Sequence, residues 1–132
     1  MSGQNDFAAL IGRILLALLF VPAGFSTITG FSGTVGYITS QGVPLPEAAA
    51  AIRILIELGG GLLVLIGWKT RWAALAFIVY LIVITPIFHG FWSVPEAQKM
   101  AQEISFWKNM GILGAFFLLL AFGPGRFSVD RQ

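Results

Sequence analysis

The stretch EAAAAIRILIELGGGLLVLIGW, residues 47–68, decides the fold. Its 22 residues hold only three charges, Glu47 at the start and Arg53 and Glu57 within, among residues that are otherwise alanine, glycine, tryptophan or aliphatic. A bilayer span requires about 20 predominantly apolar residues in a helix, and this stretch meets that length. Pro44 and Pro46 sit where such a helix begins, and Glu47 suits the positive end of its dipole. Arg53 and Glu57 stand four residues apart, on one helix face with Ala49, Ala50, Gly60, Gly61 and Val64, whereas Leu55, Leu58, Leu62 and Leu65 form the opposite face. Small residues allow close helix approach and bulky ones suit lipid, so the two charges are expected to point into a bundle.

Three further windows of similar character, 7–28, 72–89 and 105–122, flank this one in a chain of 132 residues that is 57% hydrophobic. The fold expected is an all-α integral membrane four-helix bundle, forming a single membrane domain over residues 1–132. Residues 1–6 lack the basic start of a signal peptide, so the first helix is expected to be retained. The connection 29–46 is rich in Gly, Ser, Thr and Pro, while the next, 67–71, is so short that the second and third spans must form an antiparallel hairpin. Ser93-Val94-Pro95-Glu96 reads as a capping box that opens a short interfacial helix, ending near Gln102, between the third and fourth spans. Pro22 and Pro86 each remove a hydrogen bond and are expected to kink the first and third spans. Lys69, Arg71, Arg126 and Arg131 lie on the side of the hairpin and termini, against Lys99 and Lys108 on the other, so both termini are placed in the cytoplasm, N-in and C-in.

The net charge of +2, with no basic stripe, argues against nucleic acid as a partner. Cysteine is absent, which excludes thiol chemistry by this chain. No cluster of His and carboxylates has metal-ligand spacing, so no metal site is expected.

Function is sought among the polar residues that membrane burial makes expensive. A charge at the centre of a span costs about 2.5–3.5 kcal/mol on insertion scales and must face protein or water. Glu57 lies roughly 16 Å below Pro46, near mid-bilayer. The Arg53–Glu57 pair serves either as a structural lock or as a ligand contact. Arg13, roughly 9 Å inside Phe7, has two routes, up toward Glu57 or down to the cytoplasmic headgroups. His89 closes the third span beside Phe88, Phe91 and Trp92, and Asn109 lies about a turn inside the fourth. Because these groups and both prolines occupy the midplane or the outer half, a polar pocket facing the periplasm is expected. Its ligand-binding candidates are Arg13, Arg53, Glu57, His89, Trp92 and Asn109.

Arg13-Ile14-Leu15-Leu16, Pro22-Ala23-Gly24-Phe25, the run from Gly30 to Tyr37, Gln41-Gly42-Val43-Pro44, Glu57-Leu58-Gly59-Gly60-Gly61, Phe88-His89, Lys108-Asn109 and Gly123-Pro124-Gly125 follow one another along nearly the whole chain. In this order they resemble the DoxX family of small bacterial inner-membrane proteins. The resemblance implies a four-helix membrane bundle in the inner (plasma) membrane. Some relatives, the DoxD-type subunits, belong to a thiosulfate:quinone oxidoreductase, so it also implies a link to quinone redox chemistry. Members commonly carry Gly-x-x-Lys in the first helix, where this chain has Thr27.

The leading expectation is therefore a protein that binds a small molecule, with a quinone as the named cofactor, and assists a membrane redox system without being a complete enzyme alone. It could serve as a subunit of a quinone-linked oxidoreductase. Its candidate partners are the lipid bilayer, a redox partner protein and a second copy of the chain. A structural or assembly protein whose buried charges only hold the bundle is the alternative. A small-solute transporter ranks third, because no inverted repeat is recognisable.

Overall fold

The computed structural model describes residues 3–131, leaving Met1, Ser2 and Gln132, at the ends of the expected domain, outside the described residues. Every regular element among them is helical: α1 (Gly3–Thr29), α2 (Phe31–Ser40), α3 (Pro46–Ile54), a π-helical segment (Leu55–Gly60), α4 (Gly61–Ile66), α5 (Thr70–Phe88) and α6 (Glu96–Phe122). Four stretches are long and apolar enough to cross a membrane: Gly3–Thr29, Pro46–Ile66, Thr70–Ser93 and Glu96–Phe122. The second is α3, the π segment and α4 run together.

Each span buries one stripe and leaves the rest to lipid. On α1 the buried residues are Asp6, Arg13, Ala17, Phe20, Gly24 and Thr27, a helical spacing that faces the second span. The core forms where Phe20 of α1, Phe77 of α5 and Phe116 of α6 meet. Phe77 and Phe116 stack at 4.4 Å between ring centroids, and Phe20 tilts against both at 4.7 and 5.8 Å. Such aromatic contacts contribute about 0.5–1.5 kcal/mol each beyond the area they bury. Gly24 brings α1 against the π segment, since a Cβ there would lie 2.6 Å from the backbone nitrogen of Leu58.

The hairpin partners do not pack along their whole length. The π segment and α4 approach α5, but no Cα of α3 comes within 8 Å of one of α5. The two helices diverge beyond Glu57, and α2 lies on α3 at the open end.

Two local expectations are corrected. The short interfacial helix is not separate: residues 96–104, Glu-Ala-Gln-Lys-Met-Ala-Gln-Glu-Ile, are mostly good helix formers with no breaker, and they run on into the fourth span as one 27-residue helix. The capping box does not form either. Pro95 occupies the N-cap position without a side-chain cap, while the Ser93 hydroxyl donates to the Gly90 carbonyl at 3.1 Å, inside a 3₁₀ turn. The Gly- and Ser-rich connection after α1 also contains ten helical residues, in α2. Both prolines sit inside α1 and α5, which continue through them.

The C-terminal residues 123–131 fold back over the hairpin end. Val129 N–H donates to the Ile66 carbonyl and Asp130 N–H to the Gly67 carbonyl, at 3.1 and 2.9 Å. The Asp130 carboxylate accepts from the N–H groups of Lys69 and Thr70 at 3.0 and 2.9 Å, capping the start of α5. Partial desolvation pushes this carboxyl up, but the two backbone donors and nearby Arg71 outweigh it and hold Asp130 below the usual carboxylate range. Gly67 is required beneath this strap. Its φ is +70°, and a Cβ there would meet Ser128 at 2.3 Å and the Arg13 guanidinium at 2.7 Å.

Candidate functional site

The divergence of α3 and α5 leaves a cavity of about 970 Å³. Its walls are chiefly aliphatic and aromatic, Tyr37 among them, and Arg53, Glu57, Tyr80, His89 and Asn109 also line it. Four of the six residues expected from the sequence thus share one space. The volume lies at the upper end of the range of about 300–1,000 Å³ common for small-molecule sites.

Glu57 is the deepest charge, only 5% exposed, and sits in the π segment. A π turn widens the backbone ring by one residue, and such turns occur frequently at functional sites. The Tyr80 hydroxyl, from α5, donates to Glu57 Oε2. Arg53 Nε lies 3.3 Å from the same oxygen, close enough for charge attraction, but its N–H lacks hydrogen-bond alignment. One carboxylate oxygen therefore gathers a hydroxyl from one span and a guanidinium from its own. The Arg53 side chain is 37% exposed and lines the cavity, so its charge is available there.

Nearer the open end, Asn109 Nδ2 of α6 donates to Thr85 Oγ1 of α5 at 3.2 Å. His89 Nδ1 lies 2.8 Å from Gln102 Oε1. With the amide oxygen facing the ring, Nδ1 is the donor of this bond. Tyr37 of α2 stacks on Phe88 of α5, with centroids 5.6 Å apart, across the mouth between these helices.

Arg13 and Trp92 do not join this cavity. Arg13 follows neither expected route: it is 1% exposed and donates to the carbonyls of Val64 at 3.2 Å, Leu65 at 3.0 Å and Phe127. The first two are among the carbonyls that the end of α4 leaves without helical partners, so Arg13 closes that helix and ties the C-terminal strap to it. Trp92 is 59% exposed and packs edge-on to Phe91 and Phe106.

Tyr80 is the polar residue that sequence reasoning missed. The available signal was a tyrosine in the middle of an apolar span, because a buried phenol usually finds a hydrogen-bond partner. Among the described residues no three His, Asp or Glu side chains converge as a metal site would need. The arrangement sets a guanidinium from the second span and an amide from the fourth into a largely apolar space.

The DoxX family model matches residues 8–90. The chain is 41% identical to the inner membrane protein YphA of Escherichia coli K12 over 123 residues, which cover 93% of this chain and 88% of that protein. It is 37% identical to the inner membrane protein YqjF of the same organism, over 99% of this chain and 95% of that one. With the putative oxidoreductase CatD of Bacillus subtilis 168 it shares 33% identity over 82 residues, covering 62% and 60% of the two chains. No solved structure matches. The chain belongs to the DoxX family and is a multi-pass protein of the bacterial inner membrane.

Proposed function

We propose that this DoxX-family protein binds a small lipophilic molecule, for which a quinone is the best fit, in the cavity between α3 and α5, with its polar groups in the outer half, and thereby assists a membrane redox system. The observation that carries the proposal is the convergence of Arg53, Glu57, His89 and Asn109, from three spans, on one cavity with otherwise apolar walls. A quinone presents carbonyl oxygens on a flat apolar ring. Arg53 and Asn109 would donate to those oxygens, and the aromatic side chains of Tyr37, Tyr80 and Phe88 would flank the ring. Bound there, a quinone would supply the redox chemistry, with electrons from a partner protein or a soluble substrate. The part of this chain is to hold the ring, exclude water and keep a hydrogen-bonded carboxylate and phenol beside it.

We place both termini in the cytoplasm, which puts the polar end of the cavity, from Glu57 to His89, at or beyond the midplane on the periplasmic side and the C-terminal strap on the basic, cytoplasmic side. The residues from 1 to 132 act as one membrane domain, in which Arg53, Glu57, His89 and Asn109 contact the ligand and Pro22 and Pro86 bend their spans around it.

The test is thermal protection of the purified protein by a ubiquinone analogue in detergent. The expected result is a rise in melting temperature that shrinks in Arg53→Gln and Asn109→Leu variants. No rise with any quinone, and no quinone extracted from the purified protein, overturns the proposal. The Tyr80–Glu57 bond between spans favours the second reading, in which the charges only lock the bundle. That reading requires the Arg53→Gln, Glu57→Gln double variant to be milder than either single change and ligand protection to be absent.

A further inference from the structure

The cavity is not a closed chamber. Along α5 it is lined by Trp72, Leu75, Ala76, Val79, Val83 and Ile87, residues that recur every three or four positions and form one continuous apolar rail. From Trp72 to Ile87 the rail runs roughly 22 Å, about three quarters of a hydrocarbon core of about 30 Å. Val79 and Val83 are more than half exposed although they line the cavity, and so is Ile52 on the facing α3. The cavity therefore opens sideways, through the gap where α3 and α5 fail to meet, onto the surface that lipid covers. At the outer end, the stacked rings of Tyr37 and Phe88 join α2 to α5.

The polar groups are not spread evenly along this rail. Tyr80, with Glu57 and Arg53 against it, and then Asn109 and His89, all lie beside its outer half, whereas from Trp72 to Val79 the rail itself contributes only aliphatic and aromatic side chains. A ligand matching this pattern has a polar, hydrogen-bonding head and a long apolar tail. The head would sit between Tyr80 and His89, and the tail would run down the rail toward Trp72.

We infer that the site takes a membrane-borne amphiphile with a single long apolar tail, which enters laterally between α3 and α5 and lays that tail along the Trp72–Val79 part of α5. This rests on the ligand-binding reading above and deepens it: the tail is a recognition element, and the bilayer is the source of the ligand. A water-soluble small molecule arriving from the periplasm would need neither the rail nor the side opening.

The experiment compares two benzoquinones with the same substituted ring, one without a tail and one with a ten-carbon tail, binding to the detergent-purified full chain. Concentrations are referred to the micelle phase, so that simple partitioning cancels. The tail is expected to tighten binding by about tenfold beyond partitioning, since close packing along a fixed rail gains dispersion contacts that a fluid micelle core does not match. Ala76→Trp and Val79→Trp fill the rail at positions already exposed at its surface and should abolish that gain while leaving the tail-less quinone bound. Leu118→Trp, on the exposed face of α6 away from the cavity, should keep it. Equal affinity for the two quinones, or a tail gain that survives both rail variants, overturns the lateral-tail inference and leaves the quinone site standing. Failure of either quinone to bind any of these proteins overturns the site, and the inference with it.

Discussion

Replacing Tyr80 by Phe should expose how much of the bundle depends on the bond between α5 and the π segment. The substitution keeps the ring and removes only the hydroxyl that donates to Glu57 Oε2. Glu57 is 5% exposed and Tyr80 8%, so water has little access to replace the lost donor. Hydrogen bonds to charged groups contribute about 1.5–3 kcal/mol, and a buried acceptor left without its donor costs its full desolvation. The remaining Arg53 contact, at 3.3 Å and without hydrogen-bond alignment, would compensate only in part. A loss of about 2 kcal/mol is therefore expected for Tyr80→Phe in the native protein. In a Glu57→Gln background the acceptor is neutral and the same change should cost only about 0.5–1.5 kcal/mol. Equilibrium unfolding of the four proteins of this cycle in one detergent measures the coupling, which should be about 1 kcal/mol. If the two changes add to within about 0.3 kcal/mol, the carboxylate and phenol are not bonded as described and the reasoning from their geometry is wrong.

Arg13→Met should destabilise by about 3 kcal/mol or more, because it strands the carbonyls of Val64, Leu65 and Phe127, and limited proteolysis should then cut within residues 123–131. Asp130 titrates below its ordinary range, so its stabilising cap is present above the unfolded-state pKa of about 3.9 and is lost as pH falls through the lower folded value. A melting profile taken downward from pH 5 should thus fall, and Asp130→Asn should flatten that component. Gly24→Val should cost about 1–3 kcal/mol by forcing α1 away from Leu58, read as a drop in denaturation midpoint. With no native cysteine in the chain, a single cysteine introduced at Lys69 should react with an impermeant thiol reagent only after the cytoplasmic side is opened; labelling in intact cells from the periplasm would reverse the proposed orientation.

The four spans were legible because lipid admits few alternatives. A run such as residues 47–68 has no other way to satisfy its backbone away from water. The gathering of Arg53, Glu57, His89 and Asn109 was legible for the same reason, since each is costly in lipid and must face the bundle. Arg13 was not, because its long side chain can reach in several directions, and the carbonyls that hold it come from residues 51, 52 and 114 positions away. Tyr80 was hidden among aliphatic neighbours, with its partner on another span. The strap over residues 123–131 has no periodicity to betray it, only the glycines and proline that ended the last helix. In α2, the glycines and hydroxyl residues read as a connection, and the helix there owes more to its packing on α3 than to intrinsic propensity.

Native mass spectrometry of the full chain, released gently from the membranes in which it was made, tests most directly whether the cavity between α3 and α5 holds a tailed lipophilic ligand. The expected spectrum contains a one-to-one adduct with the mass of a membrane quinone, reduced in both Arg53→Gln and Val79→Trp. A spectrum in which native protein carries no adduct beyond detergent and bulk phospholipid, or in which the quinone adduct persists unchanged in both variants, contradicts it.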